Sequence, residues 1–158
     1  MVNFPTKAQL LRNFLSCINW EEKYLYIIDL GKLLPEFPKN MRIKKHLISG
    51  CQSQTWIALT SSIIPYNNLI TLHGYSDSAI VKGIIIIIFS LYQGLSLQEA
   101  INVDIKPFLI NQLQLKQNLT ISRSQGIYLI LNSIYSQANA LYKIKHNDNA
   151  YISIYINK

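Results

Sequence analysis

Cys51 stands in the run Gly50-Cys51-Gln52-Ser53-Gln54-Thr55-Trp56. The glycine suits a turn, and the amide and hydroxyl side chains that follow can hydrogen-bond a sulfur or its reaction partner. A structural cysteine sits among apolar neighbours inside a helix or strand. A cysteine at a turn among polar side chains is presented instead, and the chemistry it offers is that of a thiolate nucleophile. The other cysteine, Cys17, lies beside the apolar face of a predicted helix and reads as a buried structural thiol. Two cysteines so far apart make no disulfide scaffold, and no Cys or His pair has the close spacing of a zinc site, so no metal is expected. Of the three histidines, His73 is a candidate base near Cys51, whereas His46 and His146 read as surface residues. A stand-alone thiol peroxidase or hydrolase would need a positioned base or a resolving cysteine. There is no Cys-x-x-Cys in the chain, and His73 is a weak partner.

The elements that must position Cys51 follow from caps and periodicity. Thr6 with Gln9 fits a capping box, which predicts a helix over Lys7 to Cys17 with Leu10, Leu11, Phe14, Leu15 and Ile18 at helical spacing. Asn19 with Glu22 predicts a second helix, from Trp20 to about Leu33, stopped by Pro35 and Pro38. Three short strand-like runs follow, near Arg42–Ser49, Gln54–Thr60 and Asn68–His73, with Ser61 to Asn68 as a hairpin loop. Ser76 or Asp77 is placed to cap a helix to Tyr92, with Gly94 as a left-handed stop. Ser96 with Glu99, Pro107 after Asp104, and Ser122 with Gln125 open three more helices, the last running to about Tyr142. The order predicts an α+β fold, a small three-stranded antiparallel sheet packed against flanking helices. One domain is expected over residues 1–142. In the tail, 143–158, Tyr or Ser alternates with Ile as in a strand, and an added sheet edge and disorder both stay open.

Composition narrows the class. At 158 residues with 49% hydrophobic residues, the chain can bury one real core. A net charge of +7 invites a nucleic-acid reading. The basic residues are dispersed, however, except for Lys39, Arg42, Lys44 and Lys45, and no nucleic-acid-binding motif accompanies them. That cluster reads as a solvated face, with a docking patch for an acidic protein as the next choice. The apolar run Ile84 to Phe89 falls far short of a membrane span. No secretory signal pattern is present, so a cytoplasmic protein with reduced thiols is expected. Isoleucine, asparagine, lysine and tyrosine are heavily used. All have AT-rich codons, so spacing and motif carry more weight here than residue type.

Several stretches together resemble the SufE family of sulfur acceptors. They are Leu10 to Phe14, Trp20 to Ile28, Leu33-Leu34-Pro35, Gly50-Cys51-Gln52-Ser53-Gln54 with Trp56, Ser76-Asp77 with Ala79 to Gly83, Leu119-Thr120, and Ser122 to Gly126. The matches run from about residue 5 to residue 138, in order. The resemblance implies a SufE/IscU-like α+β domain in which Cys51 takes sulfane sulfur from the persulfide of a cysteine desulfurase of SufS type. It implies passage of that sulfur to a cluster scaffold of SufBCD type in iron–sulfur cluster assembly. The pyridoxal phosphate would belong to the desulfurase, and no cofactor is expected in this chain. Gly50, Gln52, Ser53, Gln54, Asp77 and Arg123 are the implied loop and positioning residues. Each keeps a plain alternative. Gln52, Ser53 and Gln54 either bond a persulfide or satisfy loop backbone. Asp77 either caps a helix or holds the neighbouring loop. Arg123 either approaches the sulfur or pairs with a carboxylate. Trp56 reads as core.

The chain departs from the family at Tyr75, where an acidic residue is common, in a longer Ser61–Asn68 loop, and in the tail. Three further readings stand beside the acceptor: the paralogous CsdE-type acceptor, a desulfurase-activating adaptor without sulfur chemistry, and a U-type scaffold. A single loop cysteine argues against the scaffold, which needs several ligands. Oligomeric state stays open, a homodimer being one option.

Overall fold

The first two helices form where the sequence caps them. The computed structural model describes residues 3–62 and 68–156, with side chains as far as Asn147. Helix α1 (Lys7–Ser16) opens on a complete capping box: Thr6 Oγ1 accepts from Gln9 N at 3.2 Å, and Gln9 Oε1 accepts from Thr6 N at 2.8 Å. Helix α2 (Trp20–Gly31) opens on Asn19, whose Oδ1 accepts from Glu22 N.

The segment expected to form the first of three strands does not. Residues 39–46 instead make two 3₁₀ turns, Lys39–Met41 and Lys44–His46. His46 is the reason. Its ring is buried, and Nδ1–H donates to the Met41 carbonyl at 2.8 Å, which curls the segment on itself. His46 is thus an interior residue and not the surface one its position suggested. What survives of the strand is one rung: Leu47 bridges Trp56, and Ile48 N donates to Thr55 O.

The sheet therefore has two antiparallel strands, β1 (Thr55–Ser61) and β2 (Ile70–Ser76), in a register that sets Thr55 opposite Ser76 and Trp56 opposite Tyr75. The tip of the expected hairpin loop, 63–67, lies outside the described residues. The free edge of β1 is met by a side chain. Gln137 Nε2 donates to Ile57 O and Gln137 Oε1 accepts from Leu59 N, both at 2.9 Å. One amide thus does for two backbone groups what a neighbouring strand would do.

Helix α3 (Ala79–Tyr92) is the centre of the core, with Ile85 to Ile88 fully buried. Its N-cap is Ser78, two residues beyond Ser76 and one beyond Asp77. It crosses α2 at Gly83, where a Cβ would lie 1.8 Å from the Ile27 carbonyl oxygen, so only glycine lets the two backbones touch. The helix stops at Gly94, whose φ is +79°. Helix α4 (Leu97–Asn102) has the Ser96–Glu99 capping box. A π-helical turn, Phe108–Gln112, follows Pro107, and a short helix α5 (Leu115–Asn118) comes next.

Helix α6 (Ile121–Ile156) runs unbroken past Tyr142. Residues 146–149 form no loop and 150–156 no strand. An alternating Tyr/Ile run needs an open strand to pair with. The β1 edge is already occupied by Leu47, Ile48 and Gln137, whereas extending a formed helix adds one hydrogen bond per residue. Among the described residues no helix is long and apolar enough to cross a membrane.

A cysteine loop over a half-open cavity

Gly50 turns the chain into the cysteine loop with φ +86°, a left-handed conformation that side-chain-bearing residues avoid. Cys51 follows, half-buried, and packs against the edge of the core. Its Sγ lies 3.9 Å from Thr55 Oγ1. Thr55 is fully buried, and its hydroxyl lies 3.1 Å from Ser76 Oγ and 3.4 Å from the Ser53 carbonyl. Ser76 Oγ also accepts from Ser78 N at 3.2 Å, at the start of α3. A short relay of hydroxyls thus links the thiol to β1, β2 and α3. It exists because the strand register places Thr55 and Ser76 face to face. The loop is held from behind as well, since Asp77 N donates to Gln54 O at 3.2 Å.

In front of the sulfur is a cavity of about 230 Å³. Val81, Ile84, Ile127 and Ile130 supply apolar lining, and Ser53, Ser78, Ser122 and Arg123 supply polar lining. Gly126 of α6 faces the sulfur: a Cβ built there would stand 3.8 Å from Sγ. At the rim, Ser122 Oγ donates to Gln52 Oε1 at 3.3 Å, joining loop to helix. Ser122 is available for this because the α6 cap is Thr120, whose Oγ1 accepts from Arg123 N at 3.4 Å. The expected Ser122–Gln125 box is therefore two residues late.

The sequence-derived residues divide accordingly. Cys51, Gln52, Ser53 and Arg123 line one cavity, and Gly50 shapes the turn into it. The Arg123 guanidinium lies over the Tyr24 ring, 5.7 Å from its centroid, and pairs with no carboxylate among the described residues. Gln54 contributes its carbonyl to the clasp from Asp77. Asp77 acts through its backbone N–H, its side chain is exposed, and the helix cap is Ser78. His73 does not reach the site. It pairs with Ala58 farther along the sheet, and its Nε2 lies 3.4 Å from Thr60 Oγ1. Burial, with a contribution from neighbouring His46, holds its pKa below the usual imidazole value. Trp56 is only partly buried and packs against the Tyr75 ring. Cys17 is also half-buried, and its thiol donates to Asn13 O at 3.3 Å.

Thr55 and Gly126, which stand beside the Cys51 sulfur, were missed in the sequence. Thr55 gave no local signal, because its role depends on a partner 21 positions away. Gly126 did carry one: it is a glycine inside a helix within a stretch already singled out.

Among the described residues no group of three or more His, Cys, Asp or Glu could hold a metal ion. The arrangement is one accessible thiol, a hydroxyl beside it, and an open, half-apolar space next to the sulfur. That is an α+β domain with a single cysteine placed on a loop at the mouth of a cavity. The family model for the SufE Fe–S metabolism associated domain matches residues 8–138, and the chain belongs to that family. Its fold is also similar to the solution structure of a hypothetical protein from Thermus thermophilus. The TM-score is 0.68 at 17% identity, over 90% of this chain and 99% of the other. That likeness supports the α+β fold alone.

Proposed function

We propose that Cys51 accepts sulfane sulfur from the persulfide of a pyridoxal-phosphate-dependent cysteine desulfurase of SufS type and passes it to a cluster scaffold of SufBCD type. The observation that carries this reading is the free volume beside the Cys51 sulfur, left open by the missing side chain at Gly126. In the exchange, the Cys51 thiolate attacks the outer sulfur of the donor persulfide. A new S–S bond forms at Cys51, the donor S–S bond breaks, and the donor cysteine leaves as a thiolate. The proton on the transferred sulfur travels with it or equilibrates with solvent, and no net oxidation occurs. Taking product persulfide off the desulfurase also stimulates that enzyme. The pyridoxal phosphate resides in the donor, and this chain carries no cofactor. The chemistry calls for a compartment where thiols stay reduced, and the cytoplasm is the one we assign.

The test is intact-mass spectrometry after incubation with the desulfurase and L-cysteine, on wild type and Cys51→Ser. The expected result is a gain of one sulfur mass on wild type, removed by reductant and absent from the variant. Wild type that gains nothing beside a demonstrably active desulfurase would leave an adaptor and defeat the acceptor reading.

A further inference from the structure

Between Pro35 and Trp56 the chain carries Lys39, Arg42, Lys44 and Lys45 against the single carboxylate of Glu36. All four cations are exposed. Among the described residues the only ion pair is Lys32–Asp29, on the surface of α2 and its cap, so none of these four charges is neutralised in the fold. Arg42 is nonetheless fixed. Its guanidinium lies 4.4 Å from the Tyr75 ring centroid and 5.5 Å from that of Trp56, while Lys82 Nζ lies 5.9 Å from Tyr75. A guanidinium held by ring faces keeps its in-plane N–H groups unused. Those N–H groups match the two oxygens of a carboxylate. The rings belong to the chain neighbours of Thr55 and Ser76, on the opposite face of the sheet from that pair, and Lys82 follows the cavity residue Val81.

We propose that Lys39, Arg42, Lys44, Lys45 and Lys82 form a docking surface for a carboxylate-rich face of the sulfur donor, and this rests on the sulfur-acceptor reading. Arg42 supplies a pre-oriented anchor, at little entropic cost on binding. The exposed lysines act at longer range and raise the rate of encounter with an acidic donor, and the segment that carries them leads into the cysteine loop at Gly50.

The experiment is stopped-flow association of the purified cysteine desulfurase of the same organism with wild type, with the triple variant K39E/K44E/K45E and with K39Q/K44Q/K45Q. At low salt the glutamate variant should associate roughly tenfold more slowly and the glutamine variant by less. At ~0.5 M salt all three should converge to within about twofold. Equal rates at low salt would overturn the proposal. So would a loss that persists at high salt, which would mean damaged shape rather than lost charge. Tight, salt-sensitive binding of a labelled single-stranded RNA, with desulfurase association unaffected by the substitutions, would assign the face to nucleic acid and overturn it too. Sulfur loading of wild type, read by mass in the same samples, separates the two failures. No loading defeats the acceptor reading, whereas normal loading with equal rates defeats only the docking surface.

Discussion

Gly126 of α6 faces the sulfur of Cys51 across a gap that a single methyl group would close to 3.8 Å. That distance is ordinary contact for a bare thiol. It is crowded once a second sulfur, about 2 Å from the first, has to share the space.

Gly126→Ala should therefore split stability from function. Replacing an interior helical glycine by alanine gains about 1 kcal/mol, so the melting temperature should rise by roughly 2–4 °C. Sulfur loading of Cys51, followed by mass over time, should slow by roughly fivefold, the equivalent of about 1 kcal/mol of crowding. A variant that is more stable and loads at the wild-type rate would show that the transferred sulfur does not use this space.

Thr55→Val removes the hydroxyl between the thiol and Ser76 while keeping the side-chain volume. The buried Ser76 oxygen loses a donor, and urea unfolding should show a loss of about 1–2 kcal/mol. Alkylation of Cys51 by iodoacetamide should slow, since the nearest O–H is gone. Thr55→Ser should recover most of both effects, and failure to do so would shift the explanation from the hydroxyl to packing.

Gly50→Ala tests the turn. A Cβ there meets only Leu129 Cδ1, at 3.5 Å, so the penalty is conformational and not steric crowding. Holding alanine at φ +86° should cost about 1–2 kcal/mol. The loop is expected to relax away from the cavity, lowering the melting temperature and quickening Cys51 alkylation. An unchanged melting temperature would show that the turn carries no strain.

His73 should make the fold sensitive to acid. Burial first, and His46 second, hold its folded pKa below the ordinary value of about 6.5. Below that pH the unfolded chain takes up a proton that the folded chain resists. The contribution is therefore fully present above about pH 6.5 and is lost as pH falls toward the folded value. Melting temperatures measured from pH 7.5 down to 5 should drop more steeply for wild type than for His73→Gln, and parallel curves would refute the assignment.

Much of the helical frame was legible because caps are local. Thr6 with Gln9, Asn19 with Glu22, Ser96 with Glu99 and the stop at Gly94 each act within a few residues, and each is where the spacing put it. The cysteine loop was legible for the same reason. What failed depended on distant partners. The Arg42–Ser49 run has the composition of a strand, but burial of His46 against the Met41 carbonyl curls it. The tail has the alternation of a strand, but it continues the helix that already carries Gln137, and on the β1 edge Gln137 sits where a neighbour would pair. The cap of α3 is Ser78 while the Ser76 hydroxyl is engaged with Thr55, and the cap of α6 is Thr120, which leaves Ser122 to meet Gln52.

The far part of α6 holds one more contact. Lys145 Nζ donates to Ser61 Oγ at 2.9 Å and Ser62 O at 2.8 Å on one side of the hairpin, and to Asn68 Oδ1 at 3.2 Å on the other. A single ammonium thus staples the two strand ends together through space, independently of the peptide that joins them. The covalent connection across 63–67 is to that extent redundant. A cut in that connection would leave the ends of β1 and β2 tied by a lysine far downstream in the sequence.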